Sequence, residues 1–144
     1  MDYEIYMRRA LDLAGQAAAE GEVPVGCVVI DGTGRVLAEG RNRREATRSV
    51  AGHAELEALD AACRARGDWR LDDCTLFVTV EPCVMCAGAI GWSQLGRLVY
   101  GAEDEKRGYH KIAPAALHPK TSVTSGLMAE AATELMKKFF KRKR

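Results

Sequence analysis

His53-Ala54-Glu55 and, further along the chain, Pro82-Cys83-Val84-Met85-Cys86 hold the residue types best suited to chemistry. One imidazole and two thiols are borderline-to-soft donors of the kind zinc takes. Glu55 adds a carboxylate, two residues from the histidine, that need not be a ligand. A structural zinc takes four protein ligands, whereas a catalytic one takes three and leaves its fourth position for water. His53, Cys83 and Cys86, with Glu55 to spare, therefore read as a hydrolytic centre. In such a centre the metal acidifies water, and the carboxylate takes the proton and passes it to the substrate and the leaving group. The chemistry suits addition of hydroxide to an electron-poor C=N carbon, followed by loss of ammonia.

The spacing restricts where these residues can sit. Cys83 and Cys86 are three apart, so their sulfurs can converge over one helical turn. At a helix N-terminus the dipole favours the thiolate that metal binding requires. His53 and Glu55 are two apart and would point to opposite sides of a regular helix, so the pattern requires His53 at the cap. A lone Cys-x-x-Cys could be chance, a redox pair or half a structural zinc site. Its occurrence after His-x-Glu, with Pro82 before the first cysteine, points to one catalytic centre. Cys27, Cys63 and Cys74 are expected to fill the core. His110 and His118 have no paired donor nearby and are expected in polar loop or substrate-facing positions.

Both half-motifs need a strand or loop feeding a helix. Tyr3, Tyr6, Met7, Ala10, Leu13, Ala14, Ala17 and Ala18 recur at helical spacing, with Asp2 as cap and Gly21 as stop. Residues 25–30 are a β-branched run, 31–34 a turn, and 35–40 the returning strand of a hairpin. A helix is predicted over 53–66 with Leu56, Leu59 and Cys63 on one face. Residues 75–80 are nearly continuously apolar, as in a strand covered on both sides. A helix opens at 83–90, with Pro82 suited to its first turn, and a strand at 97–100 ends at Gly101. Residues 102–120 read as loop, and Val123 marks a short edge strand at best. Met128, Ala131, Leu135 and Phe139 place an apolar stripe on a last helix. This order implies a three-layer α/β/α domain with a mixed sheet, spanning residues 1–144 as one unit.

At 144 residues the chain can bury a core without staples, and its 47% hydrophobic and 28% charged residues are ordinary for a soluble domain. No apolar run approaches the roughly 18 residues of a membrane span. The acidic start, Met1-Asp2-Tyr3-Glu4, does not read as a secretory signal. Five cysteines, two in metal-type spacing, suggest a reducing compartment, so a cytoplasmic location is expected. A net charge of +1 gives no global field for nucleic acid. Lys137, Lys138, Lys141, Arg142, Lys143 and Arg144 nevertheless crowd the C-terminus, as either a solvated helix end or a set of phosphate contacts.

His-x-Glu followed by Pro-Cys-x-x-Cys is the signature of the zinc-dependent nucleobase deaminase superfamily. More narrowly, the chain resembles the bacterial tRNA-specific adenosine deaminases over most of its length. The resemblance is carried by Glu22-Val23-Pro24-Val25-Gly26, Gly40-Arg41-Asn42-Arg43, the stretch from Leu76 to Ile90 around the cysteines, and the terminal Phe139-Phe140-Lys141-Arg142-Lys143-Arg144. It implies a cytidine-deaminase-like fold with a mixed five-stranded sheet. It also implies one zinc ion per chain on His53, Cys83 and Cys86, with Glu55 as proton shuttle. By the same resemblance Asn42 hydrogen-bonds the flipped base, the Ala54 backbone N–H faces the base edge, Val23 forms an apolar wall and Asp104 lies near the nucleotide's sugar. The family acts as a homodimer on the wobble adenosine of a tRNA anticodon loop, giving inosine, and an unpaired loop base is cheap to extrude.

Two stretches depart from that family's pattern. Ser49-Val50-Ala51-Gly52 precedes the zinc histidine, and a long segment over 107–120 borders the substrate entrance. A deaminase of a free nucleobase or nucleoside, of guanine, cytosine or adenosine type, is the alternative reading. The basic C-terminus favours the longer anionic substrate. A non-catalytic RNA-binding subunit stapled by zinc would have no need of Glu55.

Overall fold

The structure is a computed structural model that describes residues 2–142, so Lys143 and Arg144 of the basic run lie outside the described residues. Asp2 caps the first helix, α1 (Tyr3–Ala19), by accepting the Glu4 N–H at 3.0 Å, and Gly21 follows the helix end at φ 81. The chain continues through β1 (Gly26–Ile30), β2 (Val36–Arg41), α2 (Arg44–Thr47), α3 (Ala54–Arg66), β3 (Thr75–Val80) and α4 (Val84–Trp92). It ends with β4 (Arg97–Ala102), α5 (Tyr109–Ile112), β5 (Ser122–Ser125) and α6 (Ala129–Arg142). The five strands form one sheet in the order β2-β1-β3-β4-β5. β1 is antiparallel to both β2 and β3, while β3, β4 and β5 run parallel, so the sheet is mixed as expected.

Alternation along the strands divides the core into two layers. Val28, Ile30, Phe77 and Val99 pack with Met7, Ala10 and Leu13 of α1, and Tyr3 and Tyr6 close on the Phe77 ring at 5.3 and 5.2 Å. α6 lies beside α1 against β3 and β4. Cys27, Val29, Leu76, Val78, Leu98 and Tyr100 face the other way, toward α3 and α4. Both faces of β1, β3 and β4 are thus covered, which explains their continuous apolar runs.

The site depends on how closely α3 and α4 approach this sheet. A Cβ on Gly40 would run into the backbone of Ala54, so glycine there lets the start of α3 rest directly on β2. The same closeness selects small side chains. Ala54, Glu55, Ala58, Leu59 and Ala62 are the buried face of α3, whereas Leu56 and Cys63, expected on that face, are only half-buried.

The other differences are local. Ala132 and Phe139 are buried on α6 and Ala131 is exposed, so the expected stripe is displaced by one residue at Ala131. Met128 stands outside the helix at φ 56, and the helical phase begins only at Ala129. The 102–120 stretch is not all loop: Ala102 completes β4, and α5 forms a single turn. β5 is a four-residue edge strand, fully exposed. Among the described residues no helix is long and apolar enough to cross a membrane.

Candidate active site

His53 is the N-cap of α3 and Cys83 the N-cap of α4, both in extended backbone and neither using its side chain to cap. The requirement that the histidine precede regular helix is met. Cys86 lies one turn into α4. Nδ1 of His53 stands 3.5 Å from Cys86 Sγ and 3.9 Å from Cys83 Sγ, and the three donor atoms lie within 4.8 Å of one another. A tetrahedral ion with one nitrogen and two sulfur ligands needs N–S separations of ~3.6 Å and an S–S separation of ~3.8 Å, from its usual bond lengths. The donor set therefore fits a metal ion.

The electrostatics of the cluster are unusual. The Cys86 thiol hydrogen-bonds to Cys83 and pulls it down to about 5, while the same bond and burial push Cys86 itself up. One sulfur is thus a thiolate near neutral pH even before the proton of the second is lost to a metal. Glu55 sits beside them, 3% exposed, and burial pushes its carboxyl up to about 7. Cys83 raises it further, while its own backbone N–H and Cys86 pull it down. A carboxyl group balanced in this way can both take and give a proton near neutrality.

Of these groups His53, Glu55 and Cys83 line a cavity of about 460 Å³, while Cys86 is fully buried. Val23, Asn42, His53, Glu55, Cys83 and Asp104, picked from the sequence, all line it. Val25, Val80 and Met136 extend the apolar wall begun by Val23, and the exposed Arg44 and Arg107 border the opening. Among the expected substrate contacts Ala54 is the exception. It is fully buried and does not line the cavity, and its N–H donates to Asn42 Oδ1 at 2.8 Å. That bond fixes the Asn42 amide, because only its oxygen can accept, and so Nδ2 is kept as a donor. Asp104 Oδ1 accepts the N–H groups of Lys106 and Arg107 at 3.1 and 3.0 Å.

Cys27 and Cys74 are buried in the core as expected, and Cys63 packs at its margin. His110 and His118 line a larger neighbouring groove of about 1230 Å³ that shares Glu81 and Asp104 with the cavity but not the three donors. Two residues gain importance only in the structure. Glu22 and Glu81 are buried carboxylates, and each accepts two backbone N–H groups: Glu45 and Ala46 at 3.1 and 2.9 Å, and Asp104 and His110 at 3.1 and 3.0 Å. The signal was available, since each acid stands close before a proline in an otherwise apolar stretch.

Comparison with known proteins places this geometry in a family. The chain is 38% identical to the tRNA-specific adenosine deaminase of Streptococcus pyogenes serotype M18 (strain MGAS8232), over 96% of this chain and 90% of that one. A solved structure from a study of A-to-I editing by tRNA:A34 deaminases at the wobble position of transfer RNA superposes with a TM-score of 0.84 at 38% identity, covering 90% of this chain and 97% of that one. Guanine deaminase from Nitrosomonas europaea superposes with a TM-score of 0.80 at 28% identity, covering 94% and 83%. The family model for MafB19-like deaminases matches residues 1–144. A cytidine-deaminase-like α/β sheet, a His-Cys-Cys donor set and a buried acid beside it thus coincide with similarity along the whole chain, and the chain belongs to the MafB19-like deaminase family.

Proposed function

We propose that this chain is a zinc-dependent hydrolytic deaminase that converts adenosine to inosine at the wobble position of a tRNA anticodon loop, releasing ammonia. The reading is carried by one observation: three metal donors converge at two helix N-termini with the buried Glu55 beside them, and His53, Cys83 and Glu55 line a cavity that Arg44 and Arg107 border. His53, Cys83 and Cys86 would hold the zinc, which when bound supplies an activated water for attack on the C=N carbon of the base. Glu55 takes a proton as that addition proceeds and gives it to the ring nitrogen; it then takes the remaining proton of the added hydroxyl and passes it to the departing amine, so that the carbonyl forms and ammonia leaves. Asn42, held by the Ala54 N–H, offers Nδ2 to the base. Val23, with Val25 and Val80, receives its flat face, and Asp104 borders the sugar.

The surroundings suit a polyanion more than a free base. Arg44 and Arg107 make no ion pair among the described residues, and Lys137, Lys138, Lys141 and Arg142 are exposed on α6. An anticodon loop presents its phosphates to such groups and its base already unpaired. Trp92, 83% exposed, with Met85 and Val84 on α4 and Trp69 nearby, forms an apolar face of the kind that a second copy covers, which supports a homodimer. The enzyme would work in the cytoplasm, where its thiols stay reduced.

A free nucleobase is the second reading. It is favoured by the likeness to the Nitrosomonas europaea guanine deaminase and by the unusual 107–120 segment beside the cavity. Incubating the purified protein with tRNA transcripts, free purines and free pyrimidines, and scoring ammonia release, decides between them. Turnover of an adenosine-34 transcript supports the proposal; turnover of free bases alone replaces it.

A further inference from the structure

The wall of the cavity that carries Asp104 and Arg107 is a surface segment, yet it hangs on a buried group next to the metal donors. Glu81 is 7% exposed and lies two residues before Cys83. Its Oε1 accepts the Asp104 N–H at 3.1 Å and its Oε2 the His110 N–H at 3.0 Å. Its own N–H donates to Ala102 O at 2.8 Å. The Tyr109 N–H donates to Pro82 O at 2.9 Å, and Cys83 and Gly108 form an isolated antiparallel bridge. Gly108 gives an independent sign of how tight this junction is. Its φ of −62° and ψ of 141° suit any residue, but a Cβ there would run into both the Glu81 carboxyl group and the Asp104 carbonyl. The position thus has room for a hydrogen and the carboxylate together, and for little else.

We infer that Glu81 is a positioning residue for substrate: one carboxylate clamps the 104–110 segment to the turn that presents Cys83, and so sets the distance between the nucleotide-binding wall and the reacting centre. Both carboxylate oxygens are used, each on a backbone donor at one end of the segment. Charge-assisted bonds of this kind are stronger than neutral ones, and a buried N–H left without its acceptor carries its full desolvation cost. Glu81 itself bonds to no metal donor side chain, so the effect falls on how the nucleotide is held. The inference rests on the deaminase reading of the site, but the clamp itself can be observed without any turnover.

Glu81→Gln keeps the shape and removes one of the two acceptors, because the amide NH₂ then meets a backbone N–H. Hydrogen exchange on the zinc-loaded protein should show the amides of Asp104 and His110 exchanging at least about tenfold faster, with those of Glu45 and Ala46, held by Glu22, unaffected. Zinc should remain at about one ion per chain. In steady-state kinetics on an adenosine-34 stem-loop, KM should rise about tenfold while kcat changes less than about threefold, the pattern of lost uniform binding. Gly108→Ala, which crowds the same carboxylate and the Asp104 carbonyl it holds in place, should reproduce both effects and stands in if Glu81→Gln does not fold. Unchanged exchange at Asp104 and His110 would overturn the clamp, whatever the substrate proves to be. Faster exchange with an unchanged KM, or with kcat falling in proportion to folded protein, would reduce Glu81 to a structural brace. Wild-type protein that turns over no stem-loop, but shows the exchange change in the variant, would contradict the function and leave the clamp standing.

Discussion

His53 Nδ1 and Cys86 Sγ stand 3.5 Å apart although thirty-three positions separate them in the chain, one at the mouth of α3 and the other in the first turn of α4. An ion held there is at once a reagent and a staple, because binding free energy at such a site is also folding free energy.

Cys83→Ser and Cys86→Ser should each lose zinc and lower the melting temperature. Metal analysis by mass spectrometry, with thermal unfolding on the same samples, checks this. Full occupancy in both variants would contradict the ligand set. Chelation of the wild type should lower the melting temperature in the same direction.

Cys27→Ser, Cys63→Ser and Cys74→Ser should keep their zinc. Cys27 and Cys74 are buried, at 0% and 1% exposure, so a hydroxyl there should cost ~1–3 kcal/mol of stability. Cys63 is half-exposed and should cost less. Zinc content that falls in any of the three would enlarge the donor set.

Asn42→Asp retains the oxygen that accepts the Ala54 N–H but removes the Nδ2 donor. Fold and zinc should persist while kcat/KM falls about 10- to 100-fold, the loss of one buried hydrogen bond to substrate. Comparable kinetics for variant and wild type would remove Asn42 from the base contacts.

Much of this molecule was legible in the sequence, and the reasons are physical. β1, β3 and β4 stood out because a strand covered on both faces is apolar throughout. The donor set stood out because metal chemistry restricts ligand types and spacing so severely. α2 and α5 were invisible. Each has four residues, too few for a helical period, and each is fixed by a carboxylate more than twenty positions away, Glu22 or Glu81. The bond from the Ala54 N–H was invisible for a similar reason, since its acceptor, Asn42, lies twelve positions back in a separate element. The phase of α6 was misjudged at Ala131 because Met128 was counted into the helix, whereas it occupies left-handed backbone outside it.

Neutralising Lys141, Arg142, Lys143 and Arg144 together should raise KM for an anticodon stem-loop and flatten its salt dependence. Each lost phosphate contact should lower the log–log salt slope by about 0.7 to 0.9. A free nucleoside, if turned over, should be processed almost as before. Equal KM and slope for variant and wild type would return the run to a solvated helix end.

Glu55 decides the mechanism, because it is buried beside the donors, interacts with both Cys83 and Cys86, and is not among the ligands. The measurement is inosine formed at the wobble position of an adenosine-34 stem-loop by wild type and Glu55→Ala, with zinc quantified in the same preparations. The account predicts that the variant keeps about one zinc per chain and loses at least about a thousandfold in turnover, within the usual range for a general acid–base group. A variant with near-wild-type turnover, or one that loses its zinc along with its activity, would contradict it.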